Sequence, residues 1–406
     1  KIIAMVGDKN EFGKVEILGI GKSKSLGVHR GVVNNITQTI QSIQQAVEEA
    51  KMVSGQEIDE VVVGIAGQHI RSLQHSDYIT RNNSQEVISQ EDVERLIQQV
   101  YKLVMLPGEE IIHVLPQEFK VDGQGEIKEP IGMYGGRLEA NFHVVVGQVT
   151  SIKNIGRCVK SAGLSMGNIT LEPLASSEAV LSQEEKEAGV ALIDIGGGTT
   201  DLAIFKDGII RHTAVIPFGG NVITKDIKSG LQILEKQAEL LKIKFGSAMY
   251  TEDQENVVVS IPGLRGRDPK EIAVKNLTEI IGSRMKEIID LVYHEIKVSG
   301  YENKLMTGIV LTGGGSQLRN LKQLVAYITG KETRIGYPNE HLSSESKDTV
   351  VSPMYSTGVG LVLKGFEHST KENKNKNVNE KDDNSQNLSG GIIDKLKEWF
   401  TEEETN

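Results

Sequence analysis

Three short predicted strands, with a glycine loop between the first two, constrain the fold more than any other feature of the chain. Ala191–Ile195 is predicted to be a buried strand, and Gly196–Gly197–Gly198 follows it directly. Leu202–Phe205 and Ile209–Ile216 are predicted strands joined across Asp207–Gly208, a dipeptide typical of two-residue hairpins. This pattern predicts a glycine-rich turn between two strands, followed by a hairpin.

The glycine loop carries the residue types of a phosphate-binding turn. Glycines let backbone N–H groups approach phosphate oxygens because no Cβ stands in the way, and threonines add hydroxyl donors. The carboxylates of Asp194 and Asp201 flank the loop and could hold Mg²⁺ through water, since Mg²⁺ prefers oxygen ligands and keeps several waters. A tight hairpin turn with incidental acids is the alternative. The predicted cofactor-binding residues here are Asp194, Gly196, Gly197, Gly198, Thr199 and Thr200, with Asp194 and Asp201 as metal residues.

A second glycine loop, Leu311–Gln317, lies between a predicted strand, Gly308–Thr312, and a predicted helix, Gln317–Thr329. A helix N-terminus offers free N–H groups and a favourable dipole for an anion. Alone the motif also fits a plain glycine turn. Paired with the first loop, it predicts phosphates gripped between two halves of the protein, and neither loop is a Walker A motif. The predicted nucleotide-binding residues of this loop are Gly313, Gly314, Gly315 and Gln317.

Composition excludes several function classes. The 406 residues suggest two or more domains. A net charge of -10 argues against a nucleic-acid-binding protein. The single cysteine, Cys158, excludes a disulfide within the chain. With no apolar run long enough for a membrane span and no recognisable signal peptide, a cytoplasmic protein is expected.

These motifs resemble those of the actin, hexokinase and heat-shock chaperone superfamily. Asp194–Asp201 resembles its second phosphate loop, and Thr312–Gly315 resembles its adenosine motif. Leu171–Ala179 and Tyr355–Gly360 resemble its two connecting helices. Ala238–Ala248 is similar to the segment that contacts the ribose and adenine in bacterial actins. The resemblance implies an ATP- and Mg²⁺-binding protein.

Within that superfamily the chain resembles the FtsA family of bacterial cell-division proteins over nearly its whole length. The matching segments are His113–Phe119, Pro130–Met133, Gly136–Glu139, Phe218–Asp226 and Ile335–Pro338. The resemblance implies an actin-like two-lobed α/β fold of duplicated ribonuclease H-like domains, with an inserted subdomain 1C and a C-terminal amphipathic helix. It divides the chain into 1A (1–82, 165–192 and 352–366), 1C (83–164), 2A (193–228 and 304–351), 2B (229–303), a disordered linker (367–389) and a membrane-targeting helix (390–404).

The resemblance also assigns roles to single residues. Glu172 corresponds to the residue that positions the attacking water in ATP-hydrolysing relatives, although a helix-capping or surface acid is an equal alternative. Lys1 corresponds to the last residue of the first phosphate loop. ATP binding is therefore expected of the protein that contains this loop. ATP hydrolysis is expected to be slow at most. The further implied nucleotide contacts are Gly219, Gly220, Glu239 and Lys242.

Partners follow from the same resemblance. Subdomain 2B is expected to bind the C-terminal tail of the tubulin-like protein FtsZ, with Arg284 as the cation for that acidic peptide. A solvated arginine is the alternative. Actin-like filaments of the chain itself, cytoplasmic membrane lipids and other division proteins at the septum are the remaining expected partners.

The C-terminal segment shows a helical stripe of apolar residues opposite a charged face. Such a helix is expected to lie in the membrane interface, although a protein groove is the alternative. A single short helix should bind weakly, so attachment is expected to need several copies held in a polymer. The predicted membrane residues are Ile392, Ile393, Leu396, Trp399 and Phe400.

Three rival functions share the fold. A small-molecule kinase needs an acceptor pocket, for which the sequence gives no signal. A heat-shock-type chaperone needs a sizeable β-rich domain after the ATPase. A pilus-assembly adaptor of related fold is disfavoured by the Trp399 helix and by Tyr355–Gly360.

Overall fold

The structure is a computed structural model that describes residues 1–263, 268–343, 346 and 350–379, with side chains as far as residue 367. Strands and helices alternate through most of it. The strands are β1 Ile2–Lys9, β2 Val15–Ser23, β3 Val28–His29, β4 Val32–Val33, β5 Glu60–Ile65, β6 Ile70–Thr80, β7 Glu109–Val121, β8 Gln124–Ile127, β9 Arg137–Gln148, β10 Ser165–Leu171, β11 Val190–Ile195, β12 Thr200–Lys206, β13 Ile209–Ile216, β14 Val258–Ile261, β15 Lys270–Ala273, β16 Ile309–Thr312 and β17 Thr333–Ile335. The α-helices are α1 Ile36–Ser54, α2 Gln90–Tyr101, α3 Val149–Ser161, α4 Glu172–Val180, α5 Gln183–Ala188, α6 Gly220–Leu231, α7 Glu235–Phe245, α8 Val274–Val298, α9 Leu321–Thr329 and α10 Ser356–Asn379.

A five-stranded sheet in the order β13-β12-β11-β16-β17 forms the centre of the second lobe. The first two pairings are antiparallel and the last two are parallel, which is the strand order of a ribonuclease H-like domain. The predicted hairpin is confirmed, because Asp207 and Gly208 both have positive φ, at 62° and 78°. Ile193, Leu202 and Ile204 are fully buried on this sheet beneath the helices α6 to α9.

The first lobe repeats part of this arrangement. Strands β1 and β2 pair antiparallel, and β5 and β10 pair in parallel. Helix α1 packs on the β1–β2 hairpin and is capped by Asn35, whose side chain accepts a hydrogen bond from the Gln38 amide. The sequence predicted a cap at Asn34 or Asn35, and the structure selects Asn35.

Helices α4 and α10 connect the lobes and pack closely against each other. A Cβ added at Gly360 of α10 would lie 1.8 Å from the Ala175 carbonyl oxygen of α4, so only glycine permits this approach. Residues on both helices, including Ala179 and Val359, form one apolar cluster with Tyr355 just before α10, the β1–β2 hairpin and the second-lobe sheet. The two lobes therefore share a core at the base of the cleft.

The inserted subdomain is a four-stranded sheet in the order β6-β9-β7-β8, covered by α2. In the sequence, Ser89 followed three residues later by Asp92 predicts a capping box, and the structure confirms it at the start of α2. The predicted start of this subdomain at residue 83 is wrong, because β6 pairs with β9 along its whole length. The predicted end at residue 164 also differs, because α3 packs on α1 of the first lobe.

The sequence predicts that residues 220–300 are mostly helical, and helices α6, α7 and α8 confirm this prediction, although β14 and β15 form an antiparallel hairpin before α8. One further prediction needs correction in the second lobe. The helix expected over Gln317–Thr329 begins at Leu321 instead. Residues Gly314–Gln317 form a 3₁₀ turn, and Asn320 has a left-handed φ of 58° that interrupts the chain before α9.

The predicted disordered linker over 367–389 is wrong for residues 367–379, which continue α10. A helix that is already anchored extends without a new nucleus, so polar residues can join it at little cost. The rest of the predicted linker and the predicted membrane residues Ile392, Ile393, Leu396, Trp399 and Phe400 lie outside the described residues. Among the helices described, none combines the length and apolar character that a membrane crossing requires.

Candidate functional site

Two neighbouring parallel strands bring the glycine loops together. Strand β11 pairs with β16, and Asp194 stands opposite Thr312, so the loops after both strands leave the same edge of the sheet. A Cβ added at Gly313 would lie 2.2 Å from Asp194 Oδ1, and one at Gly315 would lie 2.3 Å from Ile195 Cγ2. The segments Gly196–Gly198 and Gly313–Gly315 therefore lie side by side, as a shared phosphate site requires.

The first loop is held in place through hydrogen bonds to its carbonyls, whereas its amides remain available to a ligand. The carbonyls of Gly196 and Gly197 accept hydrogen bonds from the Gly220 and Asn221 amides at the start of α6, at 3.0 and 2.8 Å. Within the described residues, the loop amides after Gly196 donate to no acceptor, and the same holds for two amides of the second loop. Clusters of unpaired amides bind anions. The unpaired amides of the two loops are those of Gly197, Gly198, Thr199, Gly314 and Gly315.

Asp194 is buried at the end of β11 and is fixed by both connecting helices. Its Oδ2 accepts a hydrogen bond from Ser176 Oγ of α4 at 2.6 Å and another from Thr357 Oγ1 of α10 at 3.1 Å. Burial raises the pKa of Asp194, and these two hydroxyl donors oppose the rise. Ser176 and Thr357 lie inside the two connecting-helix motifs, but no sequence signal distinguished their side chains.

Asp201 and Glu172 complete a cluster of three carboxyl groups. Asp201 Oδ2 accepts a hydrogen bond from Thr199 Oγ1 at 2.9 Å, whereas its buried Oδ1 has no partner in the described part of the chain. Burial, and then the charges of Glu172 and Asp194, raise the pKa of Asp201 well above its usual value. Burial and the Asp194 charge raise the pKa of Glu172 to about 7.

The donor set of this cluster fits Mg²⁺ bound through water. Carboxylate and hydroxyl oxygens are the ligands that Mg²⁺ prefers, and the orphaned Asp201 Oδ1 is an unused acceptor. Among the described residues, no three acids, histidines or cysteines are close enough to hold an ion directly. Because Mg²⁺ keeps several of its waters, Asp194 and Asp201 could hold it through that shell.

The residues expected at the ribose and base lie next to the first loop. Gly219 packs so tightly that an added Cβ would lie 2.6 Å from the Gly196 carbonyl oxygen. On α7, Lys242 Nζ lies 2.7 Å from a Glu239 carboxylate oxygen and donates to the Gly220 carbonyl at 2.9 Å. The structure therefore joins Glu239 and Lys242 to the loop through Gly220. Gln317 is exposed on the 3₁₀ turn, where Ser352 Oγ donates to its side-chain oxygen at 3.2 Å.

Arg284 lies on α8, apart from the glycine loops. Its guanidinium makes ion pairs with Asp226 at 2.5 Å and with Glu287. These acids raise its pKa, with the Asp226 hydrogen bond as the largest cause. The three residues, with Ile280 and Ser283, line a cavity of about 290 Å³. An acidic peptide would have to displace carboxylates that already neutralise this arginine.

His113 is a site neighbour that sequence reasoning missed. The residue is on β7 of the inserted subdomain, and its Nε2 accepts a hydrogen bond from the Leu171 amide at 3.1 Å, directly before Glu172. Burial lowers the pKa of His113 to about 4. A neutral histidine thus fixes the entry of α4 at the residue before the candidate catalytic acid.

Comparison with known proteins gives two matching family models. The model described as cell division protein FtsA matches residues 191–360, and the model described as the SHS2 domain inserted in FtsA matches residues 67–146. The second range agrees with the sheet that contains β6. Both ranges contain segments that carried the resemblance in the sequence.

Relatives and solved structures agree with these models. The chain is 39% identical to the cell division protein FtsA of Pseudomonas aeruginosa, over 98% of this chain and 94% of the relative. It is 39% identical to FtsA of Borreliella burgdorferi, over 99% and 96%, and 33% identical to FtsA of Escherichia coli K12, over 90% and 88%. The PilM-PilN type IV pilus biogenesis complex has the same fold, with a TM-score of 0.64 at 16% identity over 89% of this chain and 95% of that chain.

Proposed function

The chain belongs to the family of the cell division protein FtsA, and on that premise we propose that it is an ATP-binding adaptor that ties FtsZ polymers to the membrane at the division septum. The family and the actin-like fold give it a role in cell division. The adaptor acts at the cytoplasmic face of the membrane as a peripheral protein and recruits other division proteins there.

One observation carries the nucleotide part of the proposal. Five unpaired amides from two adjacent loops surround the end of β11, beside three carboxyl groups with raised pKa values. The amides of the first loop would bind the phosphates of ATP, and Mg²⁺ would neutralise the charge between those phosphates and the carboxylates. Gly313–Gly315, Gly219, Gly220, Glu239, Lys242 and Gln317 would hold the adenosine end.

Glu172 has the properties of a residue that orients water. It is half-buried at the start of α4, and a pKa of about 7 leaves it able to accept or release a proton near neutral pH. We propose that it positions the attacking water during slow ATP hydrolysis. The nucleotide then acts mainly as a conformational signal that favours head-to-tail contacts between copies, and such contacts build open filaments.

Membrane attachment rests on the C-terminal stripe of five apolar residues. Burying five large apolar side chains yields roughly 7–15 kcal/mol, whereas ordering about twelve residues costs on the order of 1.5 kcal/mol each. One helix therefore binds weakly, and a filament that presents many helices binds strongly. Polymerisation would switch the protein onto the membrane.

The proposal is tested by pelleting the full-length protein with anionic vesicles, with and without Mg²⁺ and ATP. We expect ATP to increase the pelleted fraction, and Trp399→Glu to abolish that increase. Trp399→Phe is the matched control, because it keeps an apolar ring. An ATP-independent association, or a monomeric protein that binds vesicles as tightly as the filament, would contradict the proposal.

The FtsZ contact is tested separately at Arg284. A peptide with the sequence of the acidic FtsZ tail should bind the wild-type protein, and Arg284→Glu should weaken this binding. Lys286→Glu is the control, since Lys286 lies on the same helix and pairs with Asp290. Equal binding by all three proteins would remove Arg284 from the contact.

A further inference from the structure

A small hairpin of the first lobe ends in an arginine beside the first glycine loop. Strands β3 and β4 pair antiparallel, and the two residues between them, Arg30 and Gly31, have positive φ of 50° and 78°. These angles belong to a type I′ turn, whose twist matches that of the paired strands. The position of Arg30 at the tip is therefore fixed by the turn.

The tip lies against the backbone on both sides. A Cβ added at Gly31 would lie 1.9 Å from the Ala66 carbonyl oxygen, just after β5 of the first lobe. A Cβ added at Gly198 would lie 3.3 Å from Arg30 Cα. The hairpin thus brings a first-lobe arginine into contact with the second-lobe loop whose amides are unpaired.

Among the residues that the structure describes, none provides an anionic partner for the guanidinium of Arg30. It lies 5.4 Å from the ring centroid of Phe218, and in the described part of the chain its side chain makes no ion pair or hydrogen bond. The Phe218 carbonyl accepts a hydrogen bond from Thr200 Oγ1 at 2.9 Å, so the backbone of Phe218 is held next to the end of the glycine loop. By contrast, Arg284 and Arg334 each pair with carboxylates. A half-buried, unpaired guanidinium beside free amides is suited to bind phosphate oxygens.

The direction of the first glycine loop indicates which phosphate Arg30 would contact. The Gly196 end is bonded to Gly220, next to Lys242 on the side proposed for the ribose. The Gly198 end contacts Arg30 instead. We propose that Arg30 binds the terminal phosphate of ATP from the first lobe and so makes the closed arrangement of the lobes prefer ATP to ADP. This inference rests on the proposed nucleotide function, because a ligand shifts the lobes only through contacts that differ between two states.

The test compares Arg30→Gln and Arg30→Lys in the full-length protein. Affinities for Mg²⁺-ATP and Mg²⁺-ADP are measured by competition with a fluorescent nucleotide. We expect Arg30→Gln to weaken the affinity for ATP about tenfold or more, because charged hydrogen bonds to the phosphate are lost. The affinity for ADP should fall by less than about threefold. The ATP affinity of Arg30→Lys should lie between those of the wild type and Arg30→Gln, because lysine keeps the charge but lacks the planar guanidinium.

Arg137→Gln is the matched control. Arg137 also stacks on an aromatic ring, that of Tyr78 at 3.9 Å, but it lies in the inserted subdomain, and its replacement should change neither affinity. Thermal unfolding without nucleotide checks that the Arg30 variants fold. Equal losses for ATP and ADP, or no loss for either, would overturn this inference alone. A wild-type protein that binds neither nucleotide would overturn the proposed function and this inference with it.

Discussion

Glu172 shows how burial and neighbouring charge set the chemistry of one residue. Its carboxyl lies near those of Asp194 and Asp201, and each negative charge makes ionisation of the others harder. The resemblance predicted a functional acid at this position, but a surface acid was an equal alternative. The half-burial of Glu172 and its raised pKa argue against an ordinary surface acid.

This pKa predicts a stability that falls as pH rises. With a folded-state pKa of about 7 against an unfolded value of 4.5, the folded protein binds more protons between these values. Its stability is therefore fully present below pH 4.5 and is lost as pH rises through 7, by roughly 2 kcal/mol between pH 5 and pH 8. Glu172→Gln should lose less free energy of unfolding between pH 5 and pH 8 than the wild type, by about this amount. Urea unfolding at both pH values measures the difference.

The control for this measurement is Glu279→Gln, which replaces an exposed acid on α8. It should keep the wild-type difference between pH 5 and pH 8. If Glu172→Gln shows the wild-type difference as well, Glu172 is not the group that holds the extra proton in the folded protein.

The elements that the sequence predicted well are those with local signals. Asp207–Gly208 identified the β12–β13 hairpin, and Ser89 with Asp92 identified the start of α2. Strand β6 was missed because it is an edge strand of mostly polar residues, paired on one side only. Its identity depends on pairing with β9, which is distant in the sequence.

Other misses have a similar cause. The short strand β15 directly precedes α8, whose long helical pattern concealed it. The start of α9 was placed too early because the 3₁₀ turn and the left-handed Asn320 have no clear sequence signature. At the site, both glycine loops were predicted, whereas the hydroxyls of Ser176 and Thr357 required knowledge of how α4 and α10 pack.

The turn after β16 makes a prediction about two adjacent glycines. Gly313 has a φ of 79°, and a Cβ there would lie 2.2 Å from Asp194 Oδ1, whereas Gly314 faces open space with its nearest atom at 3.9 Å. Gly313→Ala should lower the free energy of unfolding by about 1–3 kcal/mol, because backbone strain adds to the clash. Gly314→Ala should cost about 1 kcal/mol or less. Urea unfolding of both variants measures the difference, and equal costs would contradict the geometry of this turn.

At the scale of the whole molecule, the inserted subdomain contacts the free edge of the second-lobe sheet. Ser72 Oγ donates to the Thr213 carbonyl at 3.1 Å, and Gln117 Nε2 donates to the Ile210 carbonyl at 2.7 Å. His143 Nε2 lies 2.9 Å from Thr213 Oγ1. Side chains thus cover edge carbonyls of β13 that would otherwise be open to another strand.

This contact predicts sensitivity to acid. Burial, and then the charge of His212, lower the pKa of His143 to about 4 from 6.5. The neutral ring is favoured in the fold, so its stability is fully present above pH 6.5 and is lost as pH falls towards 4, by roughly 2 kcal/mol at pH 5. His143→Gln should reduce the loss of stability between pH 7.5 and pH 5 by about that amount in urea unfolding. His294→Gln, at an exposed histidine of α8, should leave it unchanged. The same reduction in both variants would contradict a special role for His143.

The central claim is that the two glycine loops together bind one ATP molecule, the first loop at its phosphates and the second loop at its adenosine end. A crystal structure of the full-length protein with Mg²⁺ and a non-hydrolysable ATP analogue tests it most directly. We predict phosphate oxygens at about 2.7–3.2 Å from the amides of Gly197, Gly198 and Thr199, with the adenosine beside Gly313–Gly315. A nucleotide bound elsewhere, or phosphates that contact only side chains, would contradict the account.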